Sequence, residues 1–294
     1  MEKRRKDPHV DRVAKSSELL AVVRWSMMVG RRCMRAYSHA KSPKVFTQPQ
    51  LLACLVLKAY TKSTYRGVIE LLALMPAVYE AIGLRQLPDH STLCKFAERK
   101  DVQAIVDRCL AELVKQVGAS DQIVEAAADS TGLETSAASV HFLAASGRKR
   151  RRFVKLSMVI ICGLLLPAAL DVDFGPSSDL KQGYRLVAKA SKVFTPRTLY
   201  ADSGYDSEEW HRQCWEDWGT MSCAPPVVRA KSGEVGGMYR WMMTNKWPDY
   251  GKRWDIETAN SAMKRTLGSA LRARSDTALK REAALRVLAY AIKV

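Results

Sequence analysis

Tyr250, Arg253, Glu257 and Lys264 follow one another at the spacing Y-x2-R-x3-E-x6-K. At 100° per residue their side chains fall within about 60° of one another on an α-helix, over roughly 21 Å of its length. The spacing therefore predicts a helix with a phenol, a guanidinium, a carboxylate and an ammonium on one face. This set suits a phosphodiester, because the carboxylate can hold a divalent metal while the cations and the hydroxyl bind phosphates. The alternative is a simple surface contact between Glu257 and Arg253 across one helical turn.

The composition favours a polyanionic partner. The chain of 294 residues carries 47 Lys and Arg against 30 Asp and Glu, a net charge of +17. We expect this partner to be double-stranded DNA; the alternative is that the charge serves only solubility. An anionic membrane surface is disfavoured, because the sequence shows no basic amphipathic helix with a clean apolar face.

The cysteines and the apolar runs exclude several other classes. The seven cysteines are scattered and form no C-x2-C pair, which excludes a zinc ribbon and a dithiol redox motif and favours a reducing compartment. The first twelve residues lack the apolar core of a secretory signal. The longest apolar run, 156–170, contains Gly163 and Pro167 and is too short to span a bilayer. We therefore expect a cytoplasmic protein with no membrane segment.

Residues 1–118 form the first predicted region, which is helical. The apolar patterns predict helices over 16–35, 47–60, 65–74 and 102–117, and a short basic helix near 91–100. Thr47 is the expected N-cap of the second helix, with Pro49 in its first turn. Ser91 or Thr92 is the expected N-cap of the short helix. Such a module fits DNA binding or dimerisation, and it fits an ordinary helical bundle equally well.

Residues 119–294 form the second predicted region, an α/β domain. The patterns predict strands over 123–128, 153–162, 164–174 and 198–201. Helices are expected over 177–190, 208–218 and 276–293, the last amphipathic, besides the one that carries Glu257. Asp206 and Glu209 have capping-box spacing, so we assign Asp206 to capping.

Asp129 and Asp202 share one local setting. Each follows a short apolar strand and precedes a small polar turn, in ADSTG and ADSGY. Because ligands of open α/β sheets bind beyond the carboxyl ends of strands, these two carboxylates can converge there, with Glu257 as a third. Carboxylate oxygens suit Mg²⁺ or Mn²⁺, and two such ions would support an in-line displacement at phosphorus. Capped turns are the alternative interpretation, and the competing acids are Asp171, Asp173, Asp179, Asp206 and Asp255.

Further cations and aromatic residues extend the predicted DNA interface. The basic run comprises Arg148, Lys149, Arg150, Arg151 and Arg152. It precedes a hairpin strand, where it can contact the DNA backbone or form only a solvated loop. Lys155 alternates outward from that strand and is expected to face the same groove. Trp210, Trp215 and Trp218 have the spacing of core or interface residues, whereas Trp241 and Trp247 are the better candidates to stack on an unpaired base.

With these motifs in place, the chain resembles the DDE transposases of bacterial insertion sequences. The resemblance rests on ADSTG, on YADSGYDS and on the Y-x2-R-x3-E-x6-K signature. The segments KSPKVFTQPQLLACLVLKAY and LPDHSTLCKF extend it over most of residues 45–294. It implies a ribonuclease H-like catalytic domain, a mixed sheet flanked by helices, behind an all-α N-terminal domain. It also implies a homodimer on DNA in a bacterial cytoplasm, associated with the nucleoid.

The resemblance also implies roles for individual residues. Asp129, Asp202 and Glu257 would hold two Mg²⁺ or Mn²⁺ ions, and Tyr250, Arg253 and Lys264 would contact phosphates of the transposon end. The enzyme would cut DNA to free a 3′-hydroxyl, which then attacks a target phosphodiester. Only 54 residues separate Asp202 from Glu257, which leaves no room for the large β insertion of some relatives.

Two other functions stay open at the level of the sequence. The same fold and carboxylates would serve a metal-dependent nuclease that cuts DNA without strand transfer. A catalytically silent, transposase-derived DNA-binding protein is the non-enzymatic alternative.

Overall fold

The structure is a computed structural model, and it describes residues 17–120, 122–135, 153–228, 231, 233–244 and 249–294. Over these ranges the chain is mixed α/β, with a five-stranded mixed sheet flanked by helices. Among the described helices, none has the length and apolar character needed to cross a membrane.

Residues 17–120 form helices where the sequence predicts them, with one addition. The helices are α1 Glu18–Cys33, α2 Gln48–Tyr60, α3 Tyr65–Leu74, α4 Pro76–Ile82, α5 His90–Ala97 and α6 Val102–Gln116. The capping box that Thr47 forms with Gln50 at the start of α2 confirms the predicted N-cap. The short helix α4 was not predicted, because a methionine without a side-chain cap precedes it.

The start of α5 differs from the prediction. Asp89 is the N-cap, and its carboxylate accepts a hydrogen bond from the amide of Ser91 at 2.8 Å. The assignment of the cap to Ser91 or Thr92 was therefore wrong. An aspartate one turn earlier already satisfies an amide at the helix start, so the helix begins sooner.

The second region contains the sheet and the helices around it. In chain order it comprises β1 Glu125–Glu134, β2 Phe153–Ile161, β3 Leu166–Gly175, α7 Asp179–Ala190, β4 Thr198–Tyr200, α8 Glu208–Glu216, β5 Met221–Cys223, α9 Met238–Thr244, α10 Trp254–Leu267 and α11 Asp276–Lys293. Short 3₁₀ turns at Ser203–Tyr205 and Tyr250–Arg253 precede α8 and α10. The strand β5 and the helix α9 were not predicted, because three and seven residues are too short for a clear periodic pattern.

The strand order in the sheet is β3-β2-β1-β4-β5. β2 pairs antiparallel with both β3 and β1, whereas β1, β4 and β5 run parallel to one another. The long strand β1 differs from the prediction that it ends just before Asp129. It continues through Glu134 because Asp129 pairs with Met158 and Glu134 with Phe153 on β2. Asp129 therefore lies inside a strand with a partner on β2, and not in a capped turn.

The helix α11 lies in the core and not at its surface. From Ala283 to Ile292 every residue is buried, so the predicted amphipathic character is wrong over this part. α11 contacts α2 and α6 from the first region and β3 from the sheet. One hydrophobic cluster includes residues of both regions. The division into domains at residues 118 and 119 stays a prediction.

Candidate active site

The predicted Y/R/E/K helix begins later than its spacing suggests. Tyr250 and Arg253 lie in a 3₁₀ turn, and the α-helix α10 starts only at Trp254. The hydroxyl of Tyr250 donates a hydrogen bond to the carbonyl of Ala201 at 3.0 Å. This bond connects the 3₁₀ turn to the residue before Asp202. A single α-helix over all four residues was therefore wrong, because the turn is held by its own contact with the sheet.

Arg253 and Glu257 form an ion pair, with Nη2 of the arginine 2.6 Å from Oε1 of the glutamate. The arginine side chain is 17% exposed and the glutamate side chain 38%. The guanidinium also lies 5.5 Å from the ring centre of Trp254, in cation–π geometry. Its positive charge lowers the pKa values of both Asp129 and Asp202. Arg253 is thus the cation that faces the carboxylates of the site.

Asp129 extends from β1 into a half-buried position beside α10. The amide nitrogen of Asn260 donates a hydrogen bond to its Oδ2 at 3.3 Å. Burial raises the pKa of Asp129 to about 6; Asp202 and Asp179 add to this rise, whereas the amide of Ser130 and the charge of Arg253 oppose it. A carboxyl group with this pKa reports an excess of negative charge in a partly desolvated place.

Asp202 follows β4 and caps the 3₁₀ turn Ser203–Tyr205, where its Oδ1 accepts a hydrogen bond from the amide of Gly204 at 2.9 Å. Its position after a strand confirms the predicted setting. Burial raises its pKa, and the negative charge of Asp179 raises it further. Because β1 and β4 are parallel neighbours, Asp129 and Asp202 lie on adjacent strands of the sheet.

Asp179 is a further carboxylate of the site, and its role was not predicted from the sequence. It stands in the first turn of α7, and its charge raises the pKa values of both Asp129 and Asp202. A methyl group built on Gly204 would lie 3.0 Å from Oδ1 of Asp202 and 3.5 Å from Oδ2 of Asp179. The sequence marked Asp179 only as a competing acid, because its approach to Asp202 depends on how α7 packs against the sheet.

Lys155 does not point outward from β2, so its predicted orientation was wrong, whereas its contact with DNA stays a prediction. Its side chain is 7% exposed, and its ammonium lies 2.8 Å from Oδ1 of Asp179 and donates to the carbonyl of Ser177 at 2.5 Å. β2 is covered at this position by α7, whose Gln182 donates to the carbonyl of Lys155 at 3.3 Å. The alternation of side chains along β2 therefore places Lys155 beneath α7 and not at the surface.

Asp206 is not the N-cap of α8, so that assignment was wrong. Ser207 caps α8, accepting a hydrogen bond from the amide of Trp210 at 3.1 Å. The buried carboxylate of Asp206 instead accepts hydrogen bonds from Arg240 at 2.9 and 2.6 Å and from the amide of Val227 at 2.6 Å. Burial would raise the pKa of Asp206, but these bonds outweigh it and lower the pKa. Asp206 thereby connects α9 and the segment after β5 to the start of α8.

The other predicted DNA contacts involve Lys264, tryptophan side chains and the basic run. Lys264 lies two turns beyond Glu257 on α10, half-buried, and forms no ion pair with the part of the chain that the structure describes. Trp241 is 68% exposed, as a stacking residue requires, whereas Trp210 and Trp218 are buried in the core. The remaining predicted contacts lie outside the described residues; they are Arg148, Lys149, Arg150, Arg151, Arg152 and Trp247.

The site therefore joins Asp129, Asp202, Asp179 and Arg253, while Glu257 is turned toward the arginine. Among the described residues, no group of three or more His, Cys, Asp or Glu side chains is arranged to hold a metal ion. In this conformation Arg253 pairs with Glu257, and its charge also acts on Asp129 and Asp202.

No curated protein matches this chain, whereas a solved structure and a family model do. Among solved structures it is similar to piggyBac transposase, in a cryo-EM structure of the synaptic complex with hairpin DNA, at 12% identity and a TM-score of 0.44. That alignment covers 97% of this chain and 74% of the other. The family model described as transposase DDE domain matches residues 121–292, which is more than half of the chain and includes Asp129, Asp202 and Glu257. The chain belongs to the transposase DDE domain family.

Proposed function

We propose that the protein is a DNA transposase that binds insertion-sequence ends, hydrolyses phosphodiester bonds to free 3′-hydroxyl groups and joins these to target DNA. The observation that carries the proposal is the meeting of Asp129 and Asp202 from adjacent parallel strands, with Arg253 beside them. All three lie within the segment that matches the transposase DDE domain. The net charge of +17 supports DNA as the partner.

The proposed catalytic domain, residues 119–294, has a ribonuclease H-like fold. Its support is the strand order, three antiparallel strands β3-β2-β1 followed by the parallel strands β4 and β5. The helical residues 1–118 would bind DNA or dimerise, and the protein would act as a homodimer on paired ends. We place it in a bacterial cytoplasm, associated with the nucleoid.

The donor set fits Mg²⁺ or Mn²⁺ in its chemistry. Asp129 and Asp202 offer hard oxygen atoms. Burial, and to a lesser extent neighbouring carboxylates, raises the pKa values of both, and a bound divalent cation would favour their ionised forms. The buried Oδ1 of Asn260, the residue that contacts Asp129, has no hydrogen-bond partner among the described residues. Two ions held by Asp129, Asp202 and Glu257 would stabilise the charge that develops on the attacking and leaving oxygens.

Arg253 can pair with either of two anions, the carboxylate of Glu257 or a phosphate of DNA. Its ion pair with Glu257 occupies a carboxylate that the proposed metal site needs. A phosphate of bound DNA offers the guanidinium a bidentate alternative of the same charge, because arginine binds phosphate and carboxylate with the same fork of donors. DNA binding would thus draw Arg253 onto a phosphate and release Glu257 toward Asp129 and Asp202.

Tyr250 has a positioning role in this proposal. Its single hydroxyl proton is donated to the carbonyl of Ala201, so the hydroxyl does not have that proton for a phosphate in this conformation. The bond holds the 3₁₀ turn against the strand end that carries Asp202. Arg253, three residues along, is thereby kept over the carboxylates.

The test is cleavage of a labelled duplex taken from the DNA that flanks the coding sequence, with Mg²⁺ or Mn²⁺. We expect the wild type and Glu209→Gln to cut, and Glu257→Gln to bind without cutting. Glu209 is a matched control, because it is an exposed glutamate paired with an arginine on α8. Cleavage by Glu257→Gln would overturn the three-carboxylate assignment.

A second experiment distinguishes a transposase from the two alternative functions, a nuclease without strand transfer and a catalytically silent DNA-binding protein. Joining of the cut end to a plasmid would establish strand transfer, whereas cutting without joining would indicate a nuclease. If all three proteins bind the duplex and none cuts it, the catalytically silent DNA-binding protein becomes the better description.

A further inference from the structure

A basic stretch follows Glu257 along the chain. From 258 to 275 the sequence contains four cations and no acidic residue. We call these four side chains the basic ridge; they are Lys264, Arg265, Arg272 and Arg274. The three arginines are exposed and the lysine is half-buried. Within the described ranges of the chain none of the four forms an ion pair.

The backbone beneath the basic ridge is held by two side chains of α11. The guanidinium of Arg286, buried in the core, donates hydrogen bonds to the carbonyls of Gly268 at 2.5 Å and Ala270 at 3.0 Å. The carboxylate of Glu282 accepts from the amide of Arg272 at 2.9 Å and from the next amide at 2.8 Å. The loop after α10 is therefore fixed before any ligand arrives.

The basic ridge is aligned with the proposed active site. Asn260 of α10 contacts Asp129 on β1, and the backbone of Glu134, at the end of β1, exchanges hydrogen bonds of 3.0 and 2.8 Å with residues 269–271. α10 and the loop after it therefore run beside β1 from Asp129 to its end. Lys264 lies between these two contacts, on the face of α10 that it shares with Glu257.

We propose that Arg265, Arg272 and Arg274 extend the phosphate contact predicted for Lys264, so that the basic ridge follows the DNA duplex on one side of the scissile bond. This rests on the proposed function. Lys264 lies about 10 Å along the helix from Glu257, so the ridge would meet phosphates a few base pairs from the cut. Because the loop is already ordered, binding loses little conformational entropy there. The ridge would fix the register of the DNA end and would read no bases, since phosphate contacts carry no sequence information.

The test measures how the affinity for a labelled 30-base-pair duplex depends on salt. The variant Arg272→Ala/Arg274→Ala should flatten the slope of log K against log salt concentration by about 1.8, since each lost phosphate contact removes about 0.9. Between 50 and 200 mM salt, its affinity should accordingly fall about twelvefold less than that of the wild type. Arg272→Lys/Arg274→Lys keeps the charges and should keep the slope.

The matched control removes two charges at the opposite end of β1. Lys192 and Arg197 lie outside residues 1–118, are exposed and form no ion pair with the described residues. The amide of Arg197 donates a hydrogen bond of 2.8 Å to the carbonyl of Val124, which precedes the strand. Lys192→Ala/Arg197→Ala should leave the slope unchanged. An equal loss of slope in both double variants would show that binding follows net charge alone and would overturn the proposal.

The outcomes separate this inference from the proposed function. A wild type that cuts in a Glu257-dependent way, together with an unchanged slope in Arg272→Ala/Arg274→Ala, would overturn the basic ridge alone. A wild type that neither cuts nor binds DNA would overturn the proposed function and the ridge with it. Thermal unfolding of each variant verifies that the substitutions leave the fold intact.

Discussion

Arg253 and Glu257 form a 2.6 Å ion pair one helical turn apart, and the same guanidinium lowers the pKa values of Asp129 and Asp202. One cation therefore pairs with Glu257 and also favours the ionised forms of Asp129 and Asp202. Arg253 is accordingly the residue whose removal should affect the site most directly.

Arg253→Ala should raise the pKa of Asp129 above its value of about 6, because the largest nearby positive charge is lost. Carbon-13 NMR titration of the aspartate carboxyl groups in the metal-free protein measures this directly. Arg253→Lys retains a positive charge and should show a smaller rise. Arg212→Ala removes an arginine from an exposed ion pair on α8 and should leave Asp129 unchanged. An unaltered titration in Arg253→Ala would contradict the proximity of the two groups.

Asp129→Asn should stabilise the protein at pH 7 while abolishing cleavage. The folded pKa of Asp129, about 6, lies above the value near 3.9 of an unfolded chain, so ionisation costs folding free energy. As the pH rises, the unfolded state releases this proton before the folded state does, so the free energy of unfolding decreases between about pH 4 and 6. We expect a gain of about 2 kcal/mol at pH 7 and little gain below pH 4. Urea unfolding at both pH values tests this, and equal stability of the two proteins at pH 7 would contradict it.

Asp206→Asn should destabilise the fold without touching the carboxylate site. The change removes the negative charge that Asp206 places against the buried guanidinium of Arg240, at an expected cost of about 3 kcal/mol. The folded pKa of Asp206 is lowered, so its contribution is present above the unfolded pKa and is lost as the pH falls through the folded one. The stability difference from the wild type should therefore shrink below about pH 4. A difference that is constant down to pH 2 would contradict this account.

Lys155 and Asp179 should show strong energetic coupling. A double-mutant cycle with Lys155→Met and Asp179→Asn is expected to give about 1–2 kcal/mol, because Lys155 is largely buried where the pair forms. The exposed pair Glu209 and Arg212 is the control cycle and should give at most about 0.5 kcal/mol. Chemical denaturation measures both cycles. Coupling that is no larger at Lys155 than at the control would remove its role as the counter-charge of Asp179.

The helices were predictable because their signals are local. Thr47 and Pro49 mark the start of α2 through backbone chemistry that needs no distant partner. The end of β1 was not predictable in this way. The segment that follows Asp129 reads as a turn, and it becomes a strand only because Phe153 and its neighbours on β2 pair with it.

The candidate site likewise combines residues that a local signal places together with residues that only long-range packing brings together. Spacing alone could align Arg253 with Glu257, and the structure brings them together. Asp179 and Lys155 are distant in sequence from Asp202, and only the packing of α7 on the sheet brings them to the site. Long-range packing also determines the role of Asp206. Instead of capping α8 as predicted, it pairs with Arg240, which is 34 residues away.

The position of α11 has an evolutionary consequence. This helix contacts α2 and α6 in the part proposed to bind DNA, and β3 in the part proposed to cut it. A change in side-chain volume on one side of α11 shifts this helix, and the residues packed against its other side must then adjust. Substitutions in the two parts are therefore expected to covary among relatives, with α11 at the centre of the covarying positions.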